Sequence, residues 1–336
     1  MNTRPWNTYG QYLQDHYGYK VFRIGVDGGF SCPNRESGRT GGCHFCDTTG
    51  AVSVYQRTDE GRWAMTGAFQ HAVSLKTPRK MENLACRIAG LQGQVERGER
   101  FIKRRYHIDK VSLYFQAWTS TYADVDELKA IYDAGLQAGN FEELIVSTRP
   151  DCLSDQVIDL LHSYQGKDVG EVWVEIGLQS ANDTTLERIG RGHDTACYID
   201  AVQRVRAKGL RVSTHVINGL PGETASDYVR TAKLVSDLGC EAIKIHNLDI
   251  SAGTQFHGEY LDGELTVPTR SRVIENCIIM LRNLSPDVIV ERMLCETPKH
   301  RLVAPRTIGN KESFLRDLET AMREKGYKQG DLYDAK

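Results

Sequence analysis

The sequence predicts an α/β fold: a parallel sheet of βαβ units that curls into an open or partial barrel. Three observations carry this. Six short runs rich in β-branched residues recur before residue 250. Each leads into a segment with apolar residues at helical spacing. Ser, Thr and Asp ahead of those segments, and Gly behind them, supply start and stop signals. Strands alternating with helices pair in parallel through right-handed crossovers, which gathers functional side chains at the strands' C-terminal ends. Periodicity alone does not separate a partial barrel from an open doubly wound sheet.

In chain order, Lys20 to Val26 reads as the first strand, and a Gly- and Cys-rich loop from Asp27 to Gly50 follows it. Val111 to Phe115 is the second strand. The helix behind it, Asp124 to Gly139, opens on Asp124 and Glu127 as a capping pair and carries Val125, Leu128, Ile131 and Leu136 as its stripe. Leu144 to Ser147 is the third strand, and Ser154 caps a helix bearing Val157, Leu160, Leu161 and Tyr164. Val172 to Ile176 is the fourth, with a helix running on through Arg206. Arg211 to Ile217 is the fifth. Thr224 and Asp227 open a helix that stops at Gly239, and Ala242 to Ile245 is the sixth strand. From Ser251 the alternation lapses. Pro268 to Leu284 is a helix with Val273, Ile274, Cys277, Ile278 and Leu281 inside, Val288 to Met293 offers one more strand, and Lys311 to Lys325 is a charged terminal helix. The expected organisation is a core over 1–250, with its loop at 27–50, and an α/β extension over 251–336 packed on it.

Composition narrows the class. Of 336 residues, 40% are hydrophobic and 26% charged, which excludes wholesale disorder. Lys plus Arg number 42 against 44 Asp plus Glu, so no global positive charge advertises a nucleic acid, although a local basic face stays open. No apolar stretch has the length of a membrane span, and Met1 to Lys20 lacks the apolar centre of a signal peptide. The expected location is the cytoplasm. There, an odd count of nine cysteines favours metal ligands and buried thiols over disulfides.

Three of those cysteines stand together. Cys32, Cys43 and Cys46 follow a C-x10-C-x2-C spacing in the loop after the first strand. Three thiolates on a glycine-flanked loop can wrap one soft metal centre. A four-iron cubane held by three cysteines leaves one iron open for another ligand. A structural zinc site would want a fourth donor, and His44, inside the C-x2-C, is cramped for it. The other six cysteines are scattered. Most suit small buried positions, and Cys152 is singled out because it directly follows a strand end.

The ordered motifs resemble the radical S-adenosylmethionine (SAM) superfamily, in its YtqA/YhcC-like branch related to the Elongator catalytic subunit. The residues that carry the resemblance run from Asp27 through Arg35, then Tyr114-Phe115-Gln116-Ala117, Thr119 through Tyr122, Thr148-Arg149-Pro150-Asp151-Cys152 and Glu175 through Ser180. Arg191-Gly192-His193-Asp194, His215-Val216-Ile217, Gly219 through Thr224 and Lys244-Ile245-His246 complete the set. The resemblance implies a partial (β/α)6 barrel, a 4Fe-4S cluster on Cys32, Cys43 and Cys46, and SAM on the open iron. Reductive cleavage of SAM would give a 5′-deoxyadenosyl radical, with an electron donor such as flavodoxin or ferredoxin as partner. The cofactor carries the chemistry, and the protein supplies position and electrostatics.

Further roles follow from the same resemblance. Phe45 would lie against adenine, or pack on the barrel rim. Gln116, Ala117 and Thr119, ending the second strand, would hold the SAM amino group, with Gln116 replacing a glycine of the relatives. Gln179 suits the ribose. Arg191 would pair with the SAM carboxylate, against the alternative of a surface bridge to Glu187. Glu175 points into the barrel or at the cofactor, and a buried carboxylate needs a partner. His215 would touch SAM or substrate, or be a satisfied core histidine. Ser147 stands where some members carry a carboxylate, and the Gly219–Gly222 turn would approach adenine. Lys244 and His246 alternate with Ile243 and Ile245, so they share one face. If that face is the barrel interior, they line the substrate cavity, with Cys152 nearby.

The resemblance points to tRNA as substrate, and to a wobble-uridine step of the carboxymethylaminomethyl to aminomethyl type. Two basic clusters accord with RNA: Arg100, Lys103, Arg104 and Arg105 with Tyr106 and His107, and Lys299, His300, Arg301, Arg306 and Lys311. A solvated charge run is the plainer reading of the first. No acetyltransferase domain is expected after the barrel, so an acetyl-CoA reaction is not expected either. The alternatives are a radical enzyme acting on a small metabolite, and a noncatalytic Fe-S or zinc scaffold that binds RNA.

Overall fold

Alternate residues of each strand are apolar and face the helices, while the residues between them are mostly polar and face one another. A sheet with two such faces must cover the first and curl around the second. The computed structural model describes residues 4–36, 41–47, 53–56 and 83–334. Helix α1 (Tyr9–Tyr17) precedes β1 (Phe22–Val26), and α2 (Pro33–Glu36) lies in the cysteine loop. The repeats follow as α3 (Leu84–Tyr106), β2 (Val111–Phe115), α4 (Val125–Gln137), β3 (Phe141–Thr148) and α5 (Asp155–His162). Next come β4 (Glu171–Gln179), α6 (Asp183–Arg188), α7 (Thr195–Ala207), β5 (Arg211–Asn218), α8 (Ala225–Asp237) and β6 (Ala242–Asn247). The chain ends with β7 (Ile250–Ser251), α9 (Gln255–Leu261), α10 (Arg270–Asn283), β8 (Ile289–Arg292), β9 (Leu302–Ala304) and α11 (Lys311–Glu324).

The main sheet has seven parallel strands in the order β1-β2-β3-β4-β5-β6-β8. The segment at 288–293 thus joins as a seventh strand beyond the six of the βα repeats. The sheet curls into a half-barrel, and Arg23 of β1 reaches Glu291 of β8 at 2.5 Å, linking the two edge strands across the interior. Ile24, Leu113, Leu144, Val146, Val172, Val174, Val212 and Ile243 face outward into the main core beneath the helices. β7 and β9 form a separate antiparallel pair.

Local signals explain most boundaries. Ser154 accepts the Val157 N–H and caps α5, a contact worth about 1 kcal/mol. The Asp227 carboxylate accepts the backbone N–H and the hydroxyl of Thr224, closing the start of α8, and Gly239 adopts φ +66° just past its end. Asp124 makes no side-chain cap on α4. The expected capping pair fails because Glu127 is drawn instead to Arg87 at 2.6 Å. The single helix expected through Arg206 is two, α6 and α7. Gly190 (φ +62°) and Gly192 (φ +77°) break it and place Arg191 in the turn between.

Helix α1 closes the N-terminal end of the barrel. Tyr9 and Tyr12 meet the fully buried Trp173 edge-on, and their hydroxyls donate to Glu143 at 2.9 Å and Glu171 at 2.8 Å. The Val290 N–H donates to Asn7 O at 2.9 Å and ties this segment to β8.

Candidate active site

The cysteine loop crosses the C-terminal end of the barrel. His44 N–H donates to Ile189 O at 2.9 Å and Phe256 N–H to His44 O at 3.0 Å, which anchors the loop between α6 and α9. Phe45 packs against the apolar cluster of Leu186, Ile189, Leu220, Leu248 and Phe256 at the rim. Cys43 is buried, and Cys32 and Cys46 are half-buried. Donors point at two of these sulfurs. Asn34 Nδ2 lies 3.4 Å and Arg191 Nη1 3.5 Å from Cys43 Sγ, and Arg35 Nη2 lies 3.6 Å from Cys46 Sγ. Burial, then repulsion from Cys43, pushes the Cys46 thiol up to about 11, with Arg35 opposing both.

These residues fit an iron–sulfur cluster. Hydrogen bonds to ligating sulfur and nearby positive charge are how a protein orients and tunes such a centre. Arg35, Arg149 and Arg191 supply that charge. Arg191 is buried, its Nη2 donates to Gly177 O at 2.8 Å, and its Nε is buried without a partner. The surface bridge to Glu187 is thereby excluded, since Arg191 turns inward from a glycine turn. Among the described residues, no three His, Cys, Asp or Glu side chains converge around a single metal ion.

The strand ends around the loop are unusual in backbone. Gln179 ends β4 at φ +77°, beside a register shift between Gly177 and Gln179. Trp118 follows β2 at φ +64°, with the Arg35 guanidinium 4.7 Å above its ring. Bulky residues hold such conformations only where their surroundings over-determine them. Gln116 accepts from Ser53 at 3.4 Å, Ala117 is buried, and Thr119 N–H donates to Ser31 O at 3.2 Å. A Cβ on Gly177 would sit 2.6 Å from Arg191 Nη2 and 2.7 Å from Gln179 Nε2. Gly177 therefore admits both side chains to one spot.

Below this rim the barrel interior is charged. Glu175 is fully buried and accepts from Tyr114 at 2.5 Å, from His215 Nε2 at 2.9 Å, from Arg23 at 2.9 Å and from Lys244. Burial opposes its ionisation, but Lys244, His215 and Arg23 overcome it and hold the carboxyl well below its usual range. Lys244 also lies 3.4 Å from Glu291. Lys244 and His246 both face the interior, and the His215 and His246 rings lie 5.2 Å apart. Burial lowers the proton affinity of both histidines. Cys152 sits in a short turn after β3 where burial pushes its thiol up to about 12, so it is no ready nucleophile.

Arg149 went unassigned in the sequence. It forks onto Asp151 at 2.8 and 2.9 Å and donates to Arg191 O at 2.9 Å, fixing the glycine turn. Its signal was the Arg-Pro-Asp run. Arg23 and Tyr114 were also missed, although each is a polar residue between outward apolar ones. Of the basic clusters, Lys103, Arg104 and Arg105 end α3 at the barrel's closed end. Arg301 of the second cluster pairs with Asp47 of the cysteine loop at 2.5 Å. A cleft of about 720 Å³ lies at the closed end between α1 and the starts of β5 and β8. Its arginines are already matched by Glu241 and Glu171, and the convergent donors lie at the other end.

Comparison with known proteins agrees with this fold. Residues 32–235 match the radical SAM superfamily, and residues 240–324 match the radical SAM C-terminal domain. YhcC of Escherichia coli is 36% identical over 95% of this chain and 93% of its own length. YtqA of Bacillus subtilis is 30% identical over 98% and 93%. A tRNA uridine(34) acetyltransferase of Dehalococcoides mccartyi is 26% identical over 56% of this chain and 45% of its own. The solved structure of Elp3 from Methanocaldococcus infernus shares the fold, with a TM-score of 0.59, 20% identity, and coverage of 72% of this chain and 60% of that one. The chain belongs to the radical SAM superfamily, whose cofactors are a 4Fe-4S cluster and SAM.

Proposed function

We propose that the protein is a tRNA-modifying radical SAM enzyme of the cytoplasm, acting on a wobble uridine in a carboxymethylaminomethyl to aminomethyl type of step. Cys32, Cys43 and Cys46 hold the cluster. When bound, the cluster and SAM supply a 5′-deoxyadenosyl radical, fed by an electron donor such as flavodoxin or ferredoxin. Arg191 takes the SAM carboxylate, Gln179 the ribose, Phe45 the adenine side, and Gln116, Ala117 and Thr119 the amino group. Glu175 and His215 support the pocket floor, and Lys244, His246 and Cys152 flank the substrate side. Residues 1–250 form the core and 251–336 the extension.

The observation that carries the cofactor reading is the convergence of Asn34, Arg35 and Arg191 donors on two of the three sulfurs, beside an unpartnered buried Arg191 Nε. The tRNA reading draws support from the D. mccartyi relative's activity on tRNA uridine 34, and from a basic cluster adjoining the cysteine loop. Phosphate contacts from such a cluster position an RNA without reading its sequence. No helix among the described residues is long and apolar enough to cross a membrane. Two measurements test the proposal. The anaerobically reconstituted protein with reductant is expected to release 5′-deoxyadenosine from SAM. Total tRNA from a deletion strain is expected to accumulate the carboxymethylaminomethyl nucleoside by mass spectrometry, and unchanged wobble uridines would remove the tRNA assignment.

A further inference from the structure

Strand β8 is bulged. Val290 lies opposite Ile243, yet Arg292 lies opposite Lys244, so Glu291 is the extra residue in the pairing. Such a bulge turns two successive side chains to the same face of a sheet. Glu291 reaches the barrel interior, where it meets Arg23 at 2.5 Å and Lys244 at 3.4 Å. Arg292, in register with inward-facing Lys244, joins it on that side, nearer the open end. It is close enough to His246 to disfavour a proton there, after burial and His215 have done so.

The deeper cations are matched. Arg23 and Lys244 share Glu175 and Glu291 between them. Arg292 is not. Among the described residues it has no carboxylate partner, and its polar neighbour is the Cys295 thiol. The guanidinium is half-buried, and its planar fork suits a carboxylate or phosphate. His246 Nε2, on the adjacent strand, is a buried polar atom with no partner.

We propose that Arg292, with His246 beside it, is the subsite for an anionic group of the substrate, at the β6–β8 side of the barrel mouth. It rests on the tRNA reading for its preferred ligand, the terminal carboxylate of carboxymethylaminomethyl-uridine. A nucleotide phosphate is the other source of the same chemistry.

The test uses the full-length protein, anaerobically loaded with cluster and SAM, without reductant. Equilibrium dialysis measures four probes: carboxymethylaminomethyl-uridine, aminomethyl-uridine, uridine 5′-monophosphate and uridine. The wild type is expected to bind the carboxylate-bearing nucleoside about tenfold or more tighter than its aminomethyl counterpart, as a charge-assisted hydrogen bond provides. Arg292→Gln is expected to erase that ratio while leaving cluster absorbance and SAM binding intact. Arg292→Lys, which keeps charge without the fork, is expected to keep only part of it, and serves if the glutamine variant fails to load its cluster. A preference for the monophosphate over uridine, lost in Arg292→Gln, would support the subsite and identify phosphate as its ligand. No anion preference in the wild type, or one that survives the substitution, overturns the proposal. Loss of SAM binding in Arg292→Gln overturns it too, since the arginine would then serve the cofactor. Failure of the tRNA reading shows separately, in the deletion strain's nucleosides.

Discussion

Gly177→Ala displaces Arg191 and Gln179 together without altering the chemistry of either side chain. The added Cβ would lie 2.6 Å from Arg191 Nη2, where an ordinary contact begins at 3.4 Å. The guanidinium must therefore withdraw by the difference, about 0.8 Å, which stretches its 2.8 Å bond to Gly177 O beyond hydrogen-bonding range. Gln179 Nε2 is displaced by a similar amount. If Arg191 holds the SAM carboxylate, losing that charged bond costs about 1.5–3 kcal/mol, or about 10- to 150-fold in affinity. Arg191→Ala is expected to fall in the same range. The assay is equilibrium dialysis of SAM against anaerobically reconstituted protein, with cluster absorbance as loading control. Gly10→Ala, where a Cβ meets nothing within 4 Å, is the matched control. Wild-type SAM affinity in both Gly177→Ala and Arg191→Ala, with the cluster intact, would refute the carboxylate assignment.

Three further outcomes are expected. Cys43→Ala is expected to lose cluster absorbance and 5′-deoxyadenosine formation together. Lys244→Met leaves two buried carboxylates to Arg23, so it is expected to destabilise the fold by about 3–5 kcal/mol; adding Glu175→Gln should cost less than the sum of the two singles, read by urea denaturation. Burial raises the Glu223 carboxyl from 4.5 to about 7, against its hydrogen bond from Ser180. The folded state then binds more protons than the unfolded one, so its contribution to stability is present at low pH and lost as pH rises from 4.5 through 7. Glu223→Gln is expected to flatten the denaturation midpoint across that window, and an unchanged slope would show that Glu223 does not titrate there.

The strands were legible because their outward faces are β-branched and buried at helical packing surfaces, a local signal. The cysteine spacing was legible for the same reason, since its chemistry lies within one loop. Helix α1 was not, because only Leu13 of it is buried and its anchors are tyrosines bound to carboxylates over a hundred residues away. Helix α3 is hidden in the sequence because its basic last turn reads as a charge run. The Arg23–Glu291 link was unreadable, joining strands distant in sequence through a bulge that shifts side-chain parity. The sequence periodicity sets Arg191 on one helix through Arg206, whereas the glycines at 190 and 192 place it in a turn, a break that apolar spacing does not signal.

Trp173 and the two tyrosines of α1 stop one end of the barrel, so among the described residues its charged interior faces the opposite end, beside the cysteine loop. A tRNA docked there, as proposed, would cover any small cofactor fragment beneath it and would have to leave first.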